Sequence, residues 1–204
     1  MLPQRVHDKR DGRRERSART HRSIVAALID LIEEGNLAPT AAQIAKRASV
    51  AVRSIRQHFP SREDLFVAAV QEHARRVAPL RTYVDARLPL DQRVAAFAEA
   101  RARELEFCSP VRRAATFVET APAQQGASSA IARATDEAWQ RRRREVEQVF
   151  ARELEAHPDR RALMDALDLL SHGRTWDTMR YAMQLSAGDA TALLRRSLIA
   201  ALTR

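Results

Sequence analysis

A chain of 204 residues with 45% hydrophobic side chains can bury a core, which excludes a disordered tail. Its five isolated glycines and its lack of alternating β-branched runs exclude a sheet protein. The formal charge is +9, and residues 1–22 hold eight basic and three acidic side chains, so +5 of that total sits at one end. Such asymmetry points to a polyanionic partner at the amino-terminal end.

Residues 1–18 read as a flexible basic arm, with Arg5, Lys9, Arg10, Arg13, Arg14 and Arg16 set among Asp8, Asp11 and Glu15. Two readings stand here: an arm that follows phosphates or enters a minor groove, and a solvated terminus. Residues 19–65 read as a helix-turn-helix domain. Ile24, Ala27, Leu28, Leu31 and Ile32 recur at helical spacing, and Gly35-Asn36 supplies a left-handed stop. Thr40 with Gln43 three residues on is a capping box that opens a second helix, whose buried side is Ile44, Ala45 and Ala48. Val50 plugs the following turn, Ile55 and Phe59 point inward from a short basic helix, and Ser61 with Asp64 caps a fourth helix.

Residues 66–204 continue as helices. Leu65, Phe66, Ala69 and Val70 pack the fourth helix on the first three, and Pro79 ends or kinks it. A helix is expected from about 91 to 107, a break at Ser109-Pro110, a short helix over 110–120 and a loop over 121–126. Ser128 or Ser129 opens a long helix to about 156. A further helix runs from 159 to about 185, and the last runs from 189 to 202. The fold class is all-α, with about nine helices. The run Arg141-Arg142-Arg143-Arg144 lies inside the long helix, where successive side chains spread around all sides. It is read as a solvated face with salt bridges rather than a second nucleic-acid surface.

Other classes find no support. The single Cys108 gives no disulfide framework and fits a reducing compartment, and the six histidines show no metal-ligand spacing. There is no glycine-rich phosphate loop and no nucleophile elbow, so no enzyme and no cofactor are expected. The charged amino terminus lacks a signal-peptide core, and no apolar run approaches membrane-spanning length. The expected setting is cytoplasmic, without a membrane partner.

Ile24 with Ala27, Gly35, Thr40, Ile44-Ala45, Val50, Ser54-Ile55, His58-Phe59 and Ser61-Arg62-Glu63 with Leu65 resemble the amino-terminal domain of the TetR family of bacterial transcriptional regulators. The resemblance covers about 45 residues. Ser49 stands where the family usually has glycine, Ala51 where serine caps the reading helix, and Arg56 where tyrosine is usual. A lost cap costs about 1 kcal/mol, which a packed domain tolerates.

The resemblance implies that Val52, Arg53, Arg56 and Gln57 face base edges. Arg53 and Arg56 would fork onto guanine, Gln57 would bracket adenine and Val52 would pack on a thymine methyl. The rival reading gives the two arginines phosphates alone. Thr40 and the free amides behind it, with Ser54, His58 and Arg62, are the expected phosphate contacts. Phe97, Phe107, Cys108, Phe117, Trp139 and Trp176 are candidate lining residues of an effector pocket, with Glu119, Asp136 and Arg113 as polar anchors, although each aromatic is also an ordinary core residue. The last two helices are apolar on more than one side, and the resemblance implies a homodimer through Leu163, Leu167, Leu170, Leu194 and Leu198. The expected function is a repressor released from a palindromic double-stranded operator by an unknown small molecule. The alternative is a helical ligand-binding or scaffold protein with a purely structural helix-turn-helix.

Overall fold

The computed structural model describes the backbone of residues 5–119 and 128–203, and the side chains of residues 12–116, 137 and 139–203. The regular secondary structure of the described residues is all helical, with no strand among them. Ten α-helices follow in order: α1 Arg5–Glu33, α2 Ala41–Ala48, α3 Val52–His58, α4 Arg62–Val77, α5 Leu90–Glu119, α6 Ser128–Val149, α7 Ala151–Ala156, α8 Arg160–Leu170, α9 Gly173–Asp177 and α10 Ala187–Leu202. A 3-10 turn (Ala78–Leu80) follows α4, and a π-helical turn (Thr178–Ala182) extends α9. The expected loop over 121–126 lies outside the described residues, apart from the backbone that resumes at Ser128.

The first core gathers Ile24, Leu28 and Ile32 of α1, Ile44 and Ala45 of α2, Ile55, Phe59, and Leu65, Phe66 and Ala69 of α4. Burying side chains of this size stabilises by about 1.5–3 kcal/mol each. The far half of α5 closes this core with Val111, Ala114 and Ala115. The near half of α5 (Val94, Phe97, Ala98) belongs to a second core with Val146, Phe150, Leu154, Leu163, Leu167, Leu194 and Leu198. A small third core joins Leu105 to Trp176, Met179 and Ala190. One helix thus runs through all three.

Four boundaries differ from the sequence reading. The basic segment expected as a flexible arm continues α1, whose helix already starts at Arg5; Arg13, Arg14 and Arg16 on it are exposed. Pro110 does not break α5. A proline removes one helical hydrogen bond, but tertiary bonds grip the helix on both sides of it. Ser109 Oγ and the Arg112 guanidinium both donate to Asp177, and Trp176 Nε1 donates to Glu106 at 2.8 Å. The long helix after Ser128 is divided at Phe150 (φ −114°, ψ 25°), whose fully buried ring packs edge-on against Phe97 at 5.3 Å.

The helix expected over 159–185 is cut at Ser171-His172. Ser171 Oγ turns back to the Leu167 carbonyl, and His172 caps a new helix by accepting from the Arg174 amide. Gly173 lets Arg112 lie across the cut, because a Cβ there would stand 2.7 Å from Arg112 Nε.

The leucines expected at a subunit interface are placed otherwise. Leu163, Leu167, Leu194 and Leu198 are inside the second core of the single chain, and Leu170 packs half-buried against it. Side chains already removed from solvent contribute no surface to a partner. On these last helices and the turn after α9, the large apolar groups left exposed are Leu169, Tyr181 and Met183.

Candidate nucleic-acid interface and ligand cavity

The reading helix is positioned by caps and one tight turn. Thr40 Oγ1 accepts from the Gln43 amide, and Gln43 Oε1 accepts from the Thr40 amide at 2.8 Å, so the box that opens α2 is complete. At the other end Ser49 takes the left-handed conformation (φ 56°, ψ 42°) and its amide donates to α2 carbonyls. Serine carries some strain there. The turn holds because Val50 N donates to Ala45 O at 3.0 Å, its side chain packs on the first core, and Ser23 Oγ ties α1 to the Ala48 carbonyl. α3 begins at Ala51 without a side-chain cap, as its sequence dictates. Ser61 and Asp64 form the reciprocal box that starts α4.

α3 buries only Ile55 and presents Val52, Arg53, Arg56 and Gln57 to solvent. Val52 is 43% exposed, unusual for an apolar side chain with an adjacent core to join. Neither Arg53 nor Arg56 is ion-paired among the described residues. Arg47 of α2, by contrast, is held by a bidentate pair with Glu34 at 2.6 and 2.8 Å. Thr40 and Arg62 are exposed at the rim of this face, Ser54 and His58 are half-buried, and Arg62 stacks over Phe66 at 5.5 Å. His58 meets the edge of His21, whose ring lies 4.5 Å from Phe59. Burial, followed by the charges of His58, Arg22 and Arg75, holds His21 below its usual pKa. Of the residues expected at base edges and phosphates, Thr40, Arg56 and Arg62 border one shallow hollow.

α4, α5 and α6, with residues 81–86 and 172–174, line a cavity of about 980 Å³, at the upper end of small-molecule sites. Val70, Val77, Val84, Leu105, Val111 and Val149 give it apolar walls. Of the lining residues expected from sequence, Cys108 and Trp139 line it. Phe97 and Trp176 are core, Phe107 stacks on the lining residue His73, and the side chain of Phe117 is outside those described. Among the expected polar anchors, Arg113 instead lies over the Tyr181 ring at 3.8 Å, while the side chains of Glu119 and Asp136 are outside the described residues. Burial pushes the Cys108 thiol up to about 11, so it remains protonated and unreactive at neutral pH.

The polar wall takes most of its side chains from residues that sequence reasoning did not select for it, Arg101, Glu104, Arg142 and Glu145 among them, and Asp168 holds Arg142 from behind. Asp168 accepts from Trp139 Nε1 and from Arg142 Nη2 at 2.7 Å, and it is buried with that arginine. Arg101 pairs with Glu104 and donates to the Ser171 carbonyl at 3.1 Å. Burial raises the pKa of Glu145, which also lines the cavity. His73 of α4 is 4% exposed and stacks on Phe107 at 4.7 Å. Neither of its ring nitrogens makes a hydrogen bond of normal geometry, although the nearby Phe107 backbone draws its pKa slightly upward. A lone histidine on an apolar helix face gives no sequence signal of this kind.

Burial first, and then Arg76, lower the pKa of His73 to about 4. The folded state therefore resists a proton that the unfolded chain accepts from pH 6.5 downward, so stability falls with pH between 6.5 and 4. The loss expected from this group is about 2 kcal/mol between pH 7 and pH 5. Urea unfolding at the two pH values checks it. His73→Phe should lose less than the wild type over this interval, and equal losses would assign the proton uptake to other groups.

Comparison with known proteins agrees with this geometry. Residues 24–69 match the family model of bacterial regulatory proteins of the tetR family. Curated protein sequences give no significant match. A similar solved structure is a 1.54 Å crystal structure from Mesorhizobium loti MAFF303099 assigned to the TetR-family transcriptional regulators. It is 18% identical, with a TM-score of 0.65 over 92% of this chain and 97% of the other. At that identity the likeness speaks for the fold, while the matched segment speaks for the domain that carries α1 to α4. Over residues 24–69 the chain is thus similar to the tetR family of bacterial regulatory proteins, and over most of its length it shares the fold of that solved structure.

Proposed function

We propose that the protein is a homodimeric repressor that grips a palindromic operator with one α3 from each subunit and lets go when a small molecule fills the cavity behind α4. The observation that carries this reading is α3 itself, an exposed helix with two unpaired arginines and an apolar Val52 directed away from the core. In this reading Val52, Arg53, Arg56 and Gln57 contact bases, while Thr40, Ser54, His58 and Arg62 contact phosphates. The first amides of α2 and the capped start of α4 add anion-binding helix ends. Two-fold symmetry suits half-sites one helical turn apart, and the exposed Leu169, Tyr181 and Met183 supply apolar surface for the pairing.

Release follows from shared residues. α4 contributes Leu65 and Phe66 to the first core and His73 and Val77 to the cavity, so a ligand that shifts α4 moves the base of the reading head. Only a ligand with unequal affinity for the two arrangements does this, and coupling of about 1–3 kcal/mol suffices. The test is selection of bound sequences from random duplex DNA by the purified full chain, followed by titration at two salt concentrations. A palindromic consensus bound by a dimer is expected. A monomer that enriches no sequence and ignores DNA at modest ionic strength would refute the proposal and leave a ligand-binding helical scaffold.

A further inference from the structure

The four consecutive arginines of α6 divide their work. Arg142 turns into the core to Asp168, and Arg143 lies at 3.0 Å from Asp165. Arg141 and Arg144, three residues apart and so neighbours on one helix face, line the cavity and have no ion-pair partner among the described residues. Elsewhere in the lining, Arg101 is paired with Glu104 and Arg112 with Asp177. The carboxylates left to oppose Arg141 and Arg144 are Glu137 and Glu145, and burial favours the uncharged form of Glu145. Seven arginines and three glutamates line the cavity among the described residues, so its polar lining is net cationic by count and is accompanied by valines and a leucine. His73, buried on α4, has at least one ring nitrogen without a hydrogen bond among the described residues, which leaves capacity unused at a site where it costs stability.

We infer that the effector is an organic monoanion, a carboxylate carried on an apolar body, with its head held by Arg141 and Arg144 and its body laid along α4 and α5 toward His73. Guanidinium groups suit carboxylates because two parallel N–H donors match two oxygens. This inference rests on the cavity being the ligand site of the regulator proposed above.

Calorimetric titration of the full chain tests it, with decanoate and 2-naphthoate set against decanol and 2-naphthol, which share their bodies but not the charge. At least one acid should bind tenfold or more tightly than its alcohol. The double variant Arg141→Gln, Arg144→Gln should lose at least tenfold for that acid and leave the alcohol unchanged, while Arg143→Gln, outside the lining, should bind like the wild type. Alcohols binding as well as acids, an unaffected double variant, or no binding of either acid at millimolar concentration would overturn the inference. Operator binding measured on the same preparation separates the two readings. DNA binding without acid binding rejects only the anion site, and acid binding without DNA binding rejects only the regulator.

Discussion

Replacing Arg53 and Arg56 together by alanine is expected to cost about 2–6 kcal/mol of affinity for the selected operator, because a well-formed bidentate contact to guanine contributes about 1–3 kcal/mol. That corresponds to a loss of roughly 30-fold to 10⁴-fold. Both side chains are exposed and unpaired, so the fold should be unaffected, and alanine is at least as good a helix former. The informative part is the pattern across sequences. Loss of base contacts should flatten the preference at one or two operator positions, whereas Arg62→Ala should weaken every sequence alike and reduce the salt slope by about one. Fluorescence anisotropy against a panel of single-base operator variants measures both. A uniform loss in the double variant would move Arg53 and Arg56 to the phosphates.

Asp168→Ala is expected to destabilise the fold by about 3–5 kcal/mol, the cost of leaving a buried ion without its counter-charge. Asp168 accepts from Arg142 at 2.7 and 3.1 Å and from the Trp139 indole, and Arg142 is 8% exposed with no other acid in contact. Adding Arg142→Met should restore much of the loss, since removing both charges spares the desolvation that the orphaned guanidinium suffers. Urea unfolding of the two variants and the wild type gives the three energies. A single-variant loss below about 1 kcal/mol, or no recovery in the pair, would show that water or a rearranged carboxylate serves Arg142 equally well.

The helix-turn-helix segment was legible in the sequence because its signals are local. Thr40 with Gln43 and Ser61 with Asp64 each declare a cap within three residues, Gly35 (φ +97°) and Ser49 sit at turn positions, and Ile44, Ile55 and Phe59 turn inward at helical spacing. The helical body was legible in class but not in its joints. Pro110 reads as a stop, and side chains about seventy residues away, Asp177, Trp176 and Arg180 among them, hold the helix through it. The break at Phe150 depends on packing against distant helices and carries no glycine or proline, and at the break after Ser171 the glycine that follows, Gly173, serves the close approach of Arg112 from α5.

The cavity was the least legible. Aromatic residues were the natural candidates, yet Phe97 and Trp176 serve the core, while the lining comes from aliphatic side chains and arginines whose roles depend on which acid each one meets. The arginine run shows this best, because four identical letters take three different surroundings.

The course of α5 has a consequence for how the chain is divided. A line between residues 65 and 66 separates two duties but not two folding units, since Val111, Ala114 and Ala115 lie beneath the same apolar layer as Ile24 and Phe66. An excised amino-terminal fragment would be left with an open hydrophobic floor. The two ends of the molecule therefore share one structural fate, because one helix is common to both of their cores.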